Sequence, residues 1–210
     1  MKLYSALTNY GHPFSSLGLE VVPVTLPNEI EENNGILVIW GGGDISPSIY
    51  GQRPGTYTAA GNSPSPQDIL EINLAKRAIE LKLPIIGVCR GAQLLCALAG
   101  GKVIQHVEGH GRSHPITTNE GLSLLSTSLH HQMMWPFSID HKLLAWSTKF
   151  YSKKYLGEDD IELNPPLEPE IVWFPTVKTL AIQGHPEFLD LKSSFVIHSL
   201  DLAKKWCLNT

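Results

Sequence analysis

Short apolar runs that stop at glycine or proline recur along the chain. Lys2–Ala6, Glu20–Val24, Gly35–Trp40, Pro84–Cys89 and Leu180–Gln183 predict β-strands. Ile36–Trp40 and Ile85–Val88 are apolar almost throughout. A strand apolar on both sides is covered on both faces, as in the parallel sheet of an α/β fold. Between these two runs, Ile69, Ile72, Ala75 and Ile79 recur at helical spacing. They predict a helix over Ser65–Leu81 with Ser65 as N-cap and Pro66 at the first helical position. Strand, helix and strand make a right-handed crossover. A second helix is expected over Arg90–Ala99, closed by Gly100-Gly101, and a last one over about Asp190–Cys207, with Phe195, Ser199, Leu202 and Trp206 on one face. Thr8–Gly18 has room for only a brief helix.

The pattern weakens over about His106–Pro169. This stretch predicts loops and short strands decorating the sheet, with a mobile tip near Gly157–Asp160. No linker, repeat or low-complexity segment divides residues 1–210, so a single domain is expected.

Composition narrows the classes. The charged fraction is 17%, below the ~25% usual for soluble domains, and 18 Gly and 15 Pro point to many tight connections. The formal net charge is −4 and no basic stripe is present, so nucleic acid is not an expected partner. No run approaches the ~20 apolar residues of a membrane helix, and no signal peptide is visible at Met1–Ser5. Cys89, Cys96 and Cys207 are an odd, sparse set without a CxxC pair, which fits a reducing, cytoplasmic setting.

The segment Pro84–Gln93 carries the clearest chemistry. Strand, then Gly87-Val88-Cys89-Arg90-Gly91, then helix is the form of a nucleophile elbow with cysteine in the serine position. The bend holds its central residue in strained geometry, so the flanking positions must be nearly bare. The cysteine then stands over the carboxyl end of the sheet at a helix N-terminus, where dipole and orphan amides favour a thiolate. Taken alone, the same motif describes a buried cysteine in a tight connection, which is the expectation for Cys96.

A base is offered by Gly184-His185-Pro186-Glu187, just after the strand at residues 179–183. His185 would leave the same edge as Cys89 if the strands are parallel. Glu187, two residues on, could fix its tautomer. Gly41-Gly42-Gly43-Asp44 follows a buried strand and can turn a backbone amide into a cleft. With the amide of Arg90 it would bind an oxyanion. A phosphate loop is disfavoured, because no Gly-Lys-Ser/Thr and no GxGxxG opens a helix here.

Together these segments, with Ile45–Gly51, Leu98–Gln105 and Ser128-Leu129-His130-His131-Gln132, resemble the class I glutamine amidotransferase-like superfamily, and within it the γ-glutamyl hydrolase-like branch (γ-glutamyl-γ-aminobutyrate hydrolase type). The resemblance implies a flavodoxin-like α/β fold: a mostly parallel central sheet flanked by helices, with a small antiparallel or loop insertion. It implies Cys89 as nucleophile, His185 as general acid/base and Glu187 as its orienter. Gly42 or Gly43 and Arg90 would supply the oxyanion amides. Gln93 would contact the glutamyl group, and His130 and His131 its α-amino and α-carboxylate end.

The implied activity is hydrolysis of a γ-glutamyl amide through a thioester, with a small γ-glutamyl substrate and no cofactor or metal. The alternatives are a glutaminase subunit feeding ammonia to a separate synthetase, or a catalytically silent binding protein. One departure stands out: relatives often carry an aromatic residue where this chain has Gly184, which could open or shift the pocket behind His185. His106, His110 and His114 fall at i, i+4, i+8, but Gly109, Gly111 and Pro115 break any helix there. A polar loop near the cleft is expected in place of a metal site.

Overall fold

The computed structural model describes residues 1–6, 13–31 and 35–208. Among these residues nine strands form the central sheet: β1 Lys2–Ala6, β2 Glu20–Val24, β3 Gly35–Ile39, β4 Ile85–Val88, β5 His114–Thr118, β6 Ser123–Ser126, β7 Lys142–Ser147, β8 Pro169–Phe174 and β9 Thr179–Ile182. Their spatial order is β2-β1-β3-β4-β9-β8-β7-β5-β6. The first five run parallel; β8, β7, β5 and β6 continue the sheet with antiparallel pairings.

The uniformly apolar β3 and β4 are central and fully buried, as their composition requires. Alternation divides β3 between two cores. Ile36 and Val38 pack with Phe195, Val196 and Leu202, whereas Leu37 and Ile39 pack with Leu74, Ala75 and Ala78.

Helix α1, Pro66–Glu80, begins at a capping box in which Ser65 Oγ accepts the Asp68 amide (3.1 Å) and Asp68 accepts the Ser65 amide (2.8 Å). Its inward face differs from the predicted one. Ile69 is 52% exposed, while Asp68 and Glu71 are buried. The helix is rotated because both acids pair with Arg90, the first residue of α2, Arg90–Leu98. Helix α3, Ser194–Ala203, starts later than expected because Asp190 makes a turn, its carbonyl accepting the Ser193 amide; a wide turn over Lys204–Leu208 closes it.

The middle of the chain contributes strands to the sheet itself and does not merely decorate it. Two short ribbons, Lys102–Ile104 with Met133–Trp135 and His106–Val107 with Tyr155–Leu156, lie beside it. At the Gly157–Asp160 tip, Arg53 Nε donates to Glu158 at 2.6 Å. The brief N-terminal helix is a single turn over Phe14–Leu17, and part of the predicted Thr8–Gly18 span lies outside the described residues. No described helix is long and apolar enough to cross a membrane.

Candidate active site

Strand β4 delivers Cys89 at the turn into α2 with φ 49° and ψ −107°, a strained conformation for a residue with a Cβ. The surrounding contacts enforce it. The Cys89 amide donates to the Ile182 carbonyl of β9 (2.8 Å), and the Gly91 amide to the Trp40 carbonyl (3.1 Å). A Cβ on Gly91 would stand 2.1 Å from the Ile39 carbonyl oxygen, and one on Gly87 would stand 2.7 Å from Gly91. Both glycines of the elbow are therefore needed for close backbone approach. As the first residue of α2, Arg90 has an amide with no intrahelical acceptor.

β4 and β9 are parallel neighbours in register from Ile85↔Thr179 to Val88↔Ile182, so Cys89 and His185 leave the same sheet edge. The His185 Nδ1 lies 2.7 Å from Glu187 Oε1, with both side chains nearly enclosed. Burial alone would lower the His185 pKa. Hydrogen bonding to Cys89 and Glu187 outweighs burial and raises it to about 10. The exposed Phe188 ring stacks on this imidazole, with centroids 4.8 Å and planes 13° apart.

Gly184 opens no space behind the histidine. A Cβ there would meet Ser126 Oγ at 2.3 Å and Phe195 Cζ at 2.9 Å, so α3 fills the position from the other side.

The cleft beside Cys89 has Gln93 at its base, Gly42 and Asp44 on one wall and residues 129–132 on the other. The glycine turn is held by two approaches that no local pattern reveals. A Cβ on Gly41 would stand 2.7 Å from His185 Cε1, and one on Gly42 would stand 2.9 Å from Arg90 Cδ; one on Gly43 would meet no described residue within 4 Å. Of the three glycines, Gly41 is thus the one against which the imidazole packs. The Arg90 side chain, 2% exposed, runs beneath the turn to the Asp68 and Glu71 carboxylates. It fastens elbow, glycine turn and α1 together. Burial raises the Glu71 pKa despite the opposing charge of Arg90.

On the facing wall, Gln93 Nε2 donates to the Gln132 carbonyl (2.9 Å), so this amide is engaged within the chain. His131 Nε2 lies 2.9 Å from Asp44 Oδ1, a pairing across 87 residues that no motif announces. That contact raises the His131 pKa. The hydrogen bonds of His131 and the Ala59 amide more than offset the burial of Asp44 and lower its pKa. Tyr57 stacks on His106 (4.4 Å), whose Nδ1 is 3.5 Å from that of His131. His130 is buried, and burial pushes its pKa down to about 3.

The three histidines read together in the sequence are separated. His106 joins His131, whereas His110 and His114 lie edge to face at 4.7 Å. His110 is buried between Glu168 and Glu170, two acids that no sequence motif singles out. Cys96 is a core residue with its thiol pKa pushed up to about 12 by burial, and Cys207 is likewise buried and raised to about 12.

A larger groove lies at the opposite edge of the sheet, between Ile79, Leu83 and Val177, with Lys82 and Lys178 on its rim. It is remote from the elbow.

A family model described as Peptidase C26 matches residues 21–147, more than half of the chain. Protein YvdE of Lactococcus lactis subsp. lactis (strain IL1403), named as glutamine amidotransferase-like, is 41% identical over 69 residues, which are 33% of this chain and 28% of YvdE. The carbamoyl phosphate synthase small chain of Xanthomonas axonopodis pv. citri is 34% identical over 138 residues, 65% of this chain and 32% of that one. The matched segments span well under half the length of these relatives. A solved structure from Thermoplasma acidophilum, described provisionally as part of a GMP synthase, superimposes with a TM-score of 0.64 at 15% identity over 99% of this chain and 94% of that one. At that identity the likeness concerns the fold, a large mixed sheet, parallel over the five strands from β2 to β9, with helices on both faces. With the family match over residues 21–147, the chain belongs to the Peptidase C26 family, in the class I glutamine amidotransferase-like superfamily.

Proposed function

We propose that this chain hydrolyses γ-glutamyl amide bonds with Cys89 as nucleophile, releasing glutamate and an amine or ammonia. The observation that carries the proposal is the convergence on one sheet edge of a strained cysteine and a histidine gripped by a carboxylate at 2.7 Å.

In the first step the Cys89 thiolate adds to the γ-carbonyl carbon. The oxyanion is met by the amides of Arg90 and of Gly42 or Gly43, a contribution of about 2.7–4 kcal/mol for each such donor. Protonated His185 gives its proton to the leaving nitrogen, the C–N bond breaks, and a γ-glutamyl thioester remains. Neutral His185 then takes a proton from water, the hydroxide adds to the thioester, and the C–S bond breaks to give glutamate and free Cys89. Glu187 accepts from Nδ1–H and so leaves Nε2 as the nitrogen that carries and gives up the mobile proton. Gln93, His130 and His131 line the cleft where the glutamyl end would sit.

Release of glutamate from a panel of γ-glutamyl amines and glutamine tests this reading. Turnover by the wild type and none by Cys89→Ala support it; equal turnover by both would refute it. Likeness to a carbamoyl phosphate synthase small chain favours a second reading, an ammonia-donating subunit that needs a synthetase partner. The isolated chain would then be nearly silent toward glutamine until that partner is added.

A further inference from the structure

Behind the wall that carries His130 lies a second cluster that the proposed chemistry does not use. Glu168 and Glu170, two residues apart at the start of β8, are buried with His110 and His114 of the 106–118 segment. One ligand atom from each of His110, His130 and Glu170 lies within 4.8 Å of the other two. We propose that these three residues form a binding site for a divalent first-row transition ion, zinc foremost, which pins the wall of the catalytic cleft to the central sheet.

Each of the three carries at least one buried polar atom with no hydrogen-bond partner among the described residues. His130 Nδ1 is 2.8 Å from the Gln132 carbonyl, to which it donates, and Nε2 is buried without a hydrogen-bond partner. His110 Nδ1 stands 3.4 Å from Glu170 Oε1, while its Nε2 stands 3.2 Å from Glu168 Oε2. Neither nitrogen is aligned as a hydrogen bond. Ligation through Nδ1 with Nε2–H facing Glu168 is the carboxylate–histidine–metal arrangement. Glu170 Oε1 accepts from His114 Nε2 (2.8 Å) and Ser147 Oγ (3.2 Å), and its Oε2 is buried with no partner. His130 and Glu170 thus each present one orphaned atom backed by a hydrogen-bonded one, and His110 presents Nδ1 with Nε2 facing the Glu168 carboxylate.

Two imidazole nitrogens and a carboxylate oxygen are the donor set that zinc and its neighbours take, with Zn–N of about 2.0–2.1 Å. Tetrahedral ligands at that distance stand roughly 3.3 Å apart, so small rotations of the imidazoles close the site. A dication also balances the two buried carboxylates. The site is coupled to the cleft through the backbone, because the His110 carbonyl accepts both Ser128 Oγ (2.6 Å) and the His130 amide (3.1 Å).

Elemental analysis of the full chain, produced without a histidine tag or chelator, should find about one zinc per chain. After stripping, loading with cobalt(II) should give visible d–d bands. Glu170→Gln and His110→Ala should abolish these bands, and Glu168→Gln should weaken affinity about 10–100-fold. Cys89→Ala should keep them, which excludes capture by the catalytic thiol. If the ligand variants fail to fold, X-ray absorption of the zinc-loaded wild type reads the same assignment as a shell of nitrogen and oxygen without sulfur. A natively folded chain that holds under about a tenth of an ion and gives no cobalt bands, or a shell containing sulfur, would overturn the site and leave an ion-paired imidazolium network.

Discussion

Glu187 Oε1 sits 2.7 Å from His185 Nδ1, and the other carboxylate oxygen is buried without a partner among the described residues, so the carboxylate is committed to the imidazole. Glu187→Gln keeps the shape and removes the charge. We expect kcat to fall on the order of 10²–10⁴-fold with little change in folding stability, read from steady-state kinetics beside urea unfolding. A large loss of stability with kcat unchanged would assign Glu187 a structural role only.

The raised pKa of His185 sets a pH dependence. Its ordinary value is 6.5 and its folded value about 10. The native state therefore holds the proton more tightly than the unfolded chain. The stabilisation is fully present below about pH 6.5, declines as pH rises above it, and is lost once pH passes about 10. Unfolding free energies across pH 6–10 should show this decline in the wild type and a flatter course in His185→Gln. The alkaline limb of kcat/KM should track the same deprotonation.

Gly41 is bare because the imidazole packs on it. Gly41→Ala would place a methyl 2.7 Å from His185 Cε1 and push the ring off Glu187. A drop in kcat of more than about tenfold is expected, with overpacking costing ~1–3 kcal/mol. Imidazole NMR should show the His185 pKa falling toward its ordinary value.

Arg90 is buried between two carboxylates. Arg90→Leu leaves both charges enclosed, at a cost of about 3–5 kcal/mol in chemical denaturation. The triple variant that adds Asp68→Asn and Glu71→Gln should recover much of it. Failure of that rescue would show that packing of the arginine stem beneath Gly42, not charge, dominates.

The parallel half of the fold was legible because β3, β4 and β9 are buried on both faces and read as unbroken apolar runs; the bounds of β1 and β2 coincide with the expectation. The elbow was legible because its geometry tolerates few residue types. The antiparallel half was not: β5 contains Pro115, β8 starts at Pro169 and buries Glu170, and β7 carries irregular register beside Ala145. Local pattern also misassigned the inner face of α1, because Ile69 looks like core until Arg90, distant in sequence, draws Asp68 and Glu71 inward. Pairings such as Asp44 with His131, or His110 with Glu168, join residues far apart along the chain and leave no local periodicity.

Activation of Cys89 as a nucleophile by His185 can be read by intact-mass and peptide-mapping spectrometry after exposure to a chloroketone analogue of glutamine. A single adduct per chain is expected on Cys89, formed much more slowly in His185→Gln, with the buried Cys96 and Cys207 untouched. No adduct on Cys89, or equal labelling of wild type and His185→Gln, would contradict it.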